Sequence, residues 1–487
     1  MRGCIFFNRS FYRMGQALAL DLQRRYDITD WSAYIYGETS YDLVKRSAEV
    51  KYSRYLVDDT LDEQAYEEVV DDAYLLEKEK QYGVPLMQLF TADRHFVHDW
   101  PKQFYIRYRP TLNHYQIKQH LQNRMRAIER FLNEAKPDFI IGVSVCALGS
   151  MVLFHEAKLR GIKFVNIDIA RLGDRLMLKD VISGREPEVE ARFHELQSGA
   201  TSSRMKEAEA YLANFRSKLP RPFWANSFEQ TTIRSPILFI KNFLRVCWDW
   251  ATTKFPRVYS YNPLHYLRRN FLMAKNAYLP RRWDVLPIDE PYAFYPLHYD
   301  PELSTMVFAP YFTDQIWLIK QIAQSLPINW KLCVKEHPAM LGLRSPEYYR
   351  ELKRIPNVVL LNPKYPAGEV IRGSSLVAVI TSTSGLEAAF LNKPVIAFGS
   401  VFFDVLTGVY HASEMENLPS VIAHALTAPL PSEKELCNLI AAMMENSADV
   451  DGDRLLYHGG DIEMLSQDHS IHKLSDSIIK YVQASIA

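Results

Sequence analysis

Between residues 292 and 398, short apolar runs alternate with stretches in which apolar residues recur at helical spacing. Residues 292–297, 330–334, 358–361, 376–380 and 395–398 are compact and largely aromatic, β-branched or leucine-rich, the pattern of strands buried on both faces. Between them, Ile316, Ile319, Ile322, Ala323 and Leu326 share one face of a helix predicted over 313–326. Ser345-Pro346-Glu347 supplies an N-cap, a proline at the first helical position and an acid in the first turn. Shorter helices are predicted near 367–371 and over 384–391. Five strands alternating with helices predict a parallel, doubly wound sheet with right-handed crossovers. A looser version precedes it, with strands at 3–7, 32–36, 138–143 and 164–167, and helices at 12–25 and 147–160, the second ended by Gly161. An acidic helical insertion near 58–80 interrupts this first unit.

In such a sheet the loops leaving the carboxyl ends of the strands share one edge, so residues distant in sequence converge there. Three pieces fall at that edge: His298, Lys335-Glu336-His337-Pro338, and Thr381-Ser382-Thr383-Ser384-Gly385-Leu386-Glu387. Pro338 holds His337 extended, which aims its ring into the crevice, where an imidazole can donate to a phosphate oxygen and Lys335 can add charge. The alternative is a histidine capping local backbone beside a solvated lysine. The hydroxyls of 381–384 and the amides of a helix N-terminus bind phosphate without side-chain charge, unless the serine is an ordinary N-cap. Glu387 suits ribose hydroxyls, or the helix dipole alone.

A chain of 487 residues, 48% hydrophobic, exceeds the size at which one core stops growing. The expected division is 1–215, a connecting region 216–285, a nucleotide-binding domain 286–465 and a C-terminal helix 466–487, with Leu474, Ile478, Ile479, Val482 and Ile486 on one face. Residues 216–282 hold 13 Lys or Arg against Glu229 and Asp249, among many aromatics including Phe223, Trp224, Phe228, Tyr259 and Tyr261. That composition suits peripheral contact with an anionic inner membrane or an anionic acceptor. It also suits a helical hairpin that turns its aromatics inward, with Pro220, Pro222, Pro236, Pro256 and Pro263 breaking any long amphipathic helix. No run is long and uncharged enough to span a bilayer, and the N-terminus lacks a secretory signal, so a cytoplasmic location is expected. Five dispersed cysteines predict reduced thiols, and 57 basic against 57 acidic residues argue against nucleic-acid binding. Walker and G-x-G-x-x-G sequences are absent, and Asp449-Val450-Asp451-Gly452-Asp453 lacks the glycine offset and closing glutamate of a calcium loop. No metal and no cofactor are expected.

Pro296-Leu297-His298-Tyr299-Asp300-Pro301-Glu302, Val334-Lys335-Glu336-His337-Pro338, Thr383-Ser384-Gly385-Leu386-Glu387-Ala388 and Asn392-Lys393-Pro394-Val395-Ile396 resemble the bacterial capsule polysaccharide biosynthesis proteins. That group is similar to the Kdo transferases of capsule assembly and shares its His-Pro and Ser/Thr motifs with bacterial sialyltransferases. The resemblance covers roughly residues 290–400. It implies a GT-B-like architecture: two Rossmann-like domains with parallel sheets facing a central cleft, the donor nucleotide on the C-terminal one, and no metal. By position, His337, Ser382, Thr383 and Ser384, with Lys335 and Gly385, would hold the donor phosphate, which belongs to CMP in the Kdo and sialic acid enzymes. Glu387 and Glu302 would contact ribose or base, and His298 the sugar or acceptor. A group that deprotonates the acceptor hydroxyl, or a nucleophile, is expected from the N-terminal domain. Asp174, between Arg171 and Arg175, is the first candidate and Asp93 the second, each against the alternative of a surface Asp–Arg pair. The arginines would lower the carboxylate's pKa or grip an acidic sugar.

The implied activity is transfer of a Kdo-like or sialic-acid-like sugar from a CMP donor to a glycan or lipid-linked glycan of a bacterial surface polysaccharide, with capsule-assembly enzymes as partners. Transfer of glycerol phosphate from CDP-glycerol, nucleotide-sugar epimerisation and a non-catalytic assembly subunit remain alternatives.

Overall fold

The computed structural model describes residues 1–8, 11–37, 41–42, 44–45, 50–98, 110, 112–220, 236–252, 262–278, 283–286, 289–458 and 461–484. A first sheet holds β1 (Arg2–Phe7), β2 (Asp30–Ile35), β3 (Tyr52–Val57), β4 (Phe139–Val143), β5 (Lys163–Ile169) and β6 (Leu176–Lys179), joined late in the chain by β13 (Ser447–Ala448), in the order β13-β6-β5-β4-β1-β2-β3. Its five longest strands run parallel, while β6 is antiparallel to β5 and β13 antiparallel to β6. The second sheet, β7 (Tyr292–Pro296), β8 (Lys331–Lys335), β9 (Val358–Leu361), β10 (Leu376–Val379), β11 (Val395–Ala397) and β12 (Val409–His411), is wholly parallel, in the order β12-β11-β10-β7-β8-β9.

Counted within each sheet, the parallel strands run third, second, first, fourth, fifth, the Rossmann order, with a sixth at the edge of the second sheet. The protein is thus GT-B-like in class, with two Rossmann-like units. Each sheet has one point where successive crossovers leave to opposite sides, between β1 and β4 and between β7 and β10, and ligands of open α/β sheets bind in the crevice there. At the first point, Asn8 Nδ2 donates to Val143 O at 3.2 Å, and Ser144 lies in the left-handed region at φ 54°.

The core strands form as expected because they are apolar on both faces; Ala293, Phe294, Leu332, Cys333, Val377 and Val379 are fully buried. The packing redistributes the division expected at 215 and 465. Helices Pro187–Gln197 and Met205–Lys218 bury Val189, Phe193, Leu196, Ala208, Leu212 and Phe215 in the core of the second sheet. The chain returns to the first sheet already at β13, and helix His469–Gln483 packs Ile471, Leu474, Ile478, Ile479 and Val482 against it. Both exchanges follow from amphipathic helices whose apolar faces are satisfied by either sheet, so sequence order alone does not assign them.

In the connecting region, helices Pro236–Thr252 and Pro263–Tyr278 are described, whereas Phe223, Trp224, Phe228, Tyr259 and Tyr261 lie outside the described residues. The inward-aromatic reading holds for Phe239 and Phe243, which pack on Tyr266, but Trp248 and Trp250 are exposed. Among the described residues no helix is long and apolar enough to cross a membrane.

The two units meet tightly after β6. A Cβ on Gly184 would lie 1.7 Å from the Ser400 carbonyl oxygen, and Arg185 donates to Val401 O at 3.1 Å while pairing with Asp404 at 2.5 Å. Backbone cannot retreat as a side chain can, so Gly184→Ala is expected to cost about 3 kcal/mol, the upper end for overpacking. Urea unfolding of the variant, read against the parent chain, measures it.

Candidate functional site

The crevice between β7 and β10 gathers the three pieces singled out from the sequence. His298, two residues beyond β7, is buried, and its Nε2 accepts the backbone N–H of Thr381, just beyond β10, at 3.2 Å. This places the ring proton on Nδ1. Burial, His337, Arg344 and Arg171 push the His298 pKa down to about 3, so the imidazole is neutral. The His298 ring, expected to face sugar or acceptor, braces the Ser/Thr loop through the hydrogen bond it accepts from Thr381. Thr381 Oγ1 donates to Ser304 O at 2.9 Å. Ser382 is the N-cap of helix Thr383–Phe390, its hydroxyl accepting from Ser384 N–H at 3.2 Å. Thr383 and Ser384 are half-buried at the loop surface. Gly385 serves packing, since a Cβ there would come within 2.8 Å of Phe403 and 3.0 Å of Val379.

His337 Nδ1 accepts from Ala339 N–H at 3.2 Å, so Nε2 carries the proton as a donor, and the ring lies edge-on to Tyr299 at 5.9 Å. Burial, Lys335 and Arg344 hold His337 near 4 and hence neutral. Lys335 is buried at the end of β8, and Glu387 responds to it: burial raises the Glu387 carboxyl to about 7 while Lys335 pulls it down. Lys335, His337 and Glu387 therefore form one electrostatic group.

Beneath these loops lie buried charges that the sequence reading passed over. Glu336 accepts from its neighbour's amide, His337 N–H, at 2.7 Å, from Tyr349 Oη at 2.7 Å, and faces Arg344 Nε at 3.1 Å. Arg344 in turn donates to His298 O at 2.5 Å, and its guanidinium covers the Tyr348 ring at 4.6 Å. Asp300, raised by burial against the pull of Arg344, completes the group.

Across the cleft, Arg171, at φ 58°, sends Nη1 to Thr381 O at 3.4 Å. Behind it Lys179 Nζ contacts Asp168 at 2.6 Å and Glu186 at 3.1 Å. Burial favours neutral Asp168, but Lys179, Arg171 and the Ile169 N–H outweigh it and hold its pKa below the usual range. Glu186 is lifted by burial to about 7. Two carboxyls driven apart around one lysine is the pattern of an acid–base site. Glu302 lies within the cleft, reached by water yet ringed by protein; burial raises its carboxyl against Ser304, Arg94 and Arg171. The position of Asp168 at the end of β5 was the available signal.

Of the two expected acid–base candidates one is a buried carboxylate and the other an exposed turn residue. Asp93 is fully buried, accepting from Leu148 N–H at 2.9 Å at a helix N-terminus and from His95 N–H at 2.9 Å. Burial opposes its ionisation, but His95 and these amides hold it below the usual range. Asp174 is exposed in the turn before β6, where its carbonyl accepts from Gly452 N–H at 2.9 Å. Its pKa is raised, by burial, Asp451 and Asp453, rather than lowered by flanking arginines. Those arginines point away from it: Arg171 into the cleft, Arg175 to Met444 O and Ser447 O, each at 3.2 Å.

Two outcomes test this geometry. Folded Glu387 keeps its proton to about 7, whereas the unfolded carboxyl releases it near 4.5. Its contribution to stability therefore falls as pH rises through that window. Urea unfolding against pH should show the Glu387→Gln difference curve losing a slope of one proton there. His298→Ala leaves the buried Thr381 N–H unpaired, an expected loss of about 1–3 kcal/mol, and calorimetric unfolding reads it.

Among curated proteins none matches this chain. Among solved structures, the chain is similar to Thermosulfurimonas dismutans KpsC, beta Kdo 2,7 transferase, at 12% identity over 76% of this chain and 97% of that one, with a TM-score of 0.39. The beta Kdo 2,4 transferase of the same KpsC gives 13% over 67% and 86%, TM-score 0.32. Neisseria meningitidis UDP-GlcNAc 2-epimerase gives 12% over 91% and 99%, TM-score 0.30. Residues 313–419, spanning β8 to β12, match the model of the family described as Capsule polysaccharide biosynthesis protein. The matched residues include the His337-Pro338 and Ser/Thr motifs on which the resemblance to the capsule polysaccharide biosynthesis proteins rests.

Proposed function

We propose that this protein is a glycosyltransferase of surface polysaccharide synthesis that takes an acidic sugar, Kdo-like or sialic-acid-like, from a CMP-linked donor. The observation that carries the reading is the convergence of His298, Lys335, His337 and the 381–384 loop at the β7/β10 switch point, opposite Arg171. The match of residues 313–419 to capsule biosynthesis proteins supports it.

In this reading the donor phosphate lies on the amide of Thr383, at the positive end of helix Thr383–Phe390, with Lys335 supplying charge and His337 Nε2–H donating to a phosphate oxygen. A neutral donor is apt, because the phosphate gains negative charge as the glycosidic bond breaks and the proton is already in place. Arg171, the one expected acidic-sugar contact that faces the cleft, pairs with the sugar carboxylate. Asp168, partly open to the cleft, accepts the hydrogen bond of the acceptor hydroxyl, and Lys179 and Glu186 fix its orientation from behind. The acceptor is a glycan or lipid-linked glycan.

Thermal shift against CMP, UDP, CDP and GDP tests the donor class: CMP should raise the melting temperature most. With CMP-Kdo or CMP-sialic acid as donor, His337→Ala should lower turnover by about a hundredfold, the lower range for a proton donor. Asp168→Asn should lose transfer yet keep the CMP shift. Turnover with CDP-glycerol alone would overturn the reading.

A further inference from the structure

Helices Pro236–Thr252 and Pro263–Tyr278 hold each other through Phe239 and Phe243, whose rings lie 5.7 and 6.3 Å from that of buried Tyr266. That seam occupies one face of each helix. Away from it, Ile237, Ile240, Leu244 and Trp248 fall within an arc of roughly 80° at helical spacing. They are 79, 56, 62 and 71% exposed. The second helix repeats the stripe with Leu264, Leu267 and Phe271, at 72, 36 and 67%. A soluble monomer rarely leaves so many adjoining large apolar side chains in water.

Cations border both stripes, with exposed Lys241 and Arg245 beside the first and exposed Arg268 and Lys275 beside the second. The helices carry Lys241, Arg245, Arg268, Arg269 and Lys275 against a single acid, Asp249. Neither is long and apolar enough to cross a membrane. An apolar stripe edged by cations is the chemistry of a helix lying in the plane of an anionic bilayer, with its apolar side chains at the acyl boundary and its cations at lipid phosphates. We propose that this hairpin docks the protein on an anionic membrane surface.

The position of the hairpin links that surface to the cleft. Met273, on the seam side of the second helix, packs on the Met340–Leu343 pair, as does Tyr299, whose ring lies edge-on to His337. A lipid-borne acceptor at the docked surface would thus arrive beside the donor loops. This last step rests on the proposed function; the docking does not.

Sedimentation of the full chain with vesicles of phosphatidylglycerol and phosphatidylcholine in equal parts, and with phosphatidylcholine alone, tests the proposal. Binding should be about tenfold weaker to the neutral vesicles, and should fall about as much for Leu244→Ser/Phe271→Ser and for Lys241→Glu/Arg268→Glu. Should the variants fold poorly, quenching of Trp248 by brominated lipid, lost in Trp248→Phe, reports insertion in the otherwise unaltered protein. A parent chain left in the supernatant with anionic vesicles overturns the docking, as does binding unchanged by both pairs of substitutions. A dimer dissociated by Leu244→Ser/Phe271→Ser, without vesicle binding, overturns it in favour of a second copy. CMP thermal shifts on the same samples separate failure of docking from failure of the donor reading.

Discussion

Arg344 carries a guanidinium that is wholly buried, and a buried cation persists only where partners replace its lost water. Its partners come from different loops: the Glu336 carboxylate beyond β8, and the His298 carbonyl beyond β7. The His298 ring then passes the constraint to a third loop by accepting the Thr381 N–H beyond β10. Three connections that would otherwise be set by separate crossovers are thereby held in one arrangement. The group is costly to bury and costly to break, since removal of either charge strands the other. That asymmetry suits a device for fixing geometry more than one for adding stability.

The same cations set the protonation states around the crevice. Arg344, Arg171 and Lys335 all disfavour a charged imidazole nearby, and burial acts in the same sense, so His298 and His337 are neutral well below their ordinary range. The local backbone then selects the tautomers: Thr381 N–H takes one nitrogen of His298, and Ala339 N–H takes Nδ1 of His337. A histidine whose Nδ1 is occupied by backbone is a fixed donor at Nε2. Capping and ligand recognition, set against each other on the sequence alone, are therefore compatible at His337: the cap is what orients the donor. At Ser382 the cap likewise leaves the amide of Thr383, the next residue, without a helical partner within its own turn.

The strands around the crevice were legible because parallel strands covered on both faces are continuous apolar runs. Their edges were not. Tyr52–Val57 leaves Ser53, Arg54 and Tyr55 exposed and reads as polar, and Leu176–Lys179, Val409–His411 and Ser447–Ala448 are too short to show a period. The loop motifs were legible as residues at strand ends, but the charges beneath them were not. Arg344 stands in an unremarkable run before a helix, and only the fold carries it under His298. Asp174 misled because adjacency in sequence suggested a pairing with Arg171 and Arg175. The turn sends those two side chains to opposite sides, one to Thr381 and one to the 444–449 segment.

The exchange of segments between the sheets bears on how the cleft can move. The chain leaves the first unit after β6 and re-enters it at β13, and these two strands pair with each other. Arg175 grips the carbonyls of Met444 and Ser447 at the return crossing, and Arg192 pairs with Glu445 at 2.6 Å beside it. Close by in sequence, the 184–185 backbone meets Ser400 and Val401 of the second unit. Both crossings are thus pinned on one edge, while across the cleft Arg171 Nη1 reaches Thr381 O at 3.4 Å and Arg94 Nη1 reaches Pro301 O at 3.2 Å. Opening that separates the switch point while keeping the edge intact requires rotation about the crossings. Rotation of that kind breaks the Arg171–Thr381 and Arg94–Pro301 contacts, so the closed cleft is the arrangement that keeps Arg171 against the Ser/Thr loop.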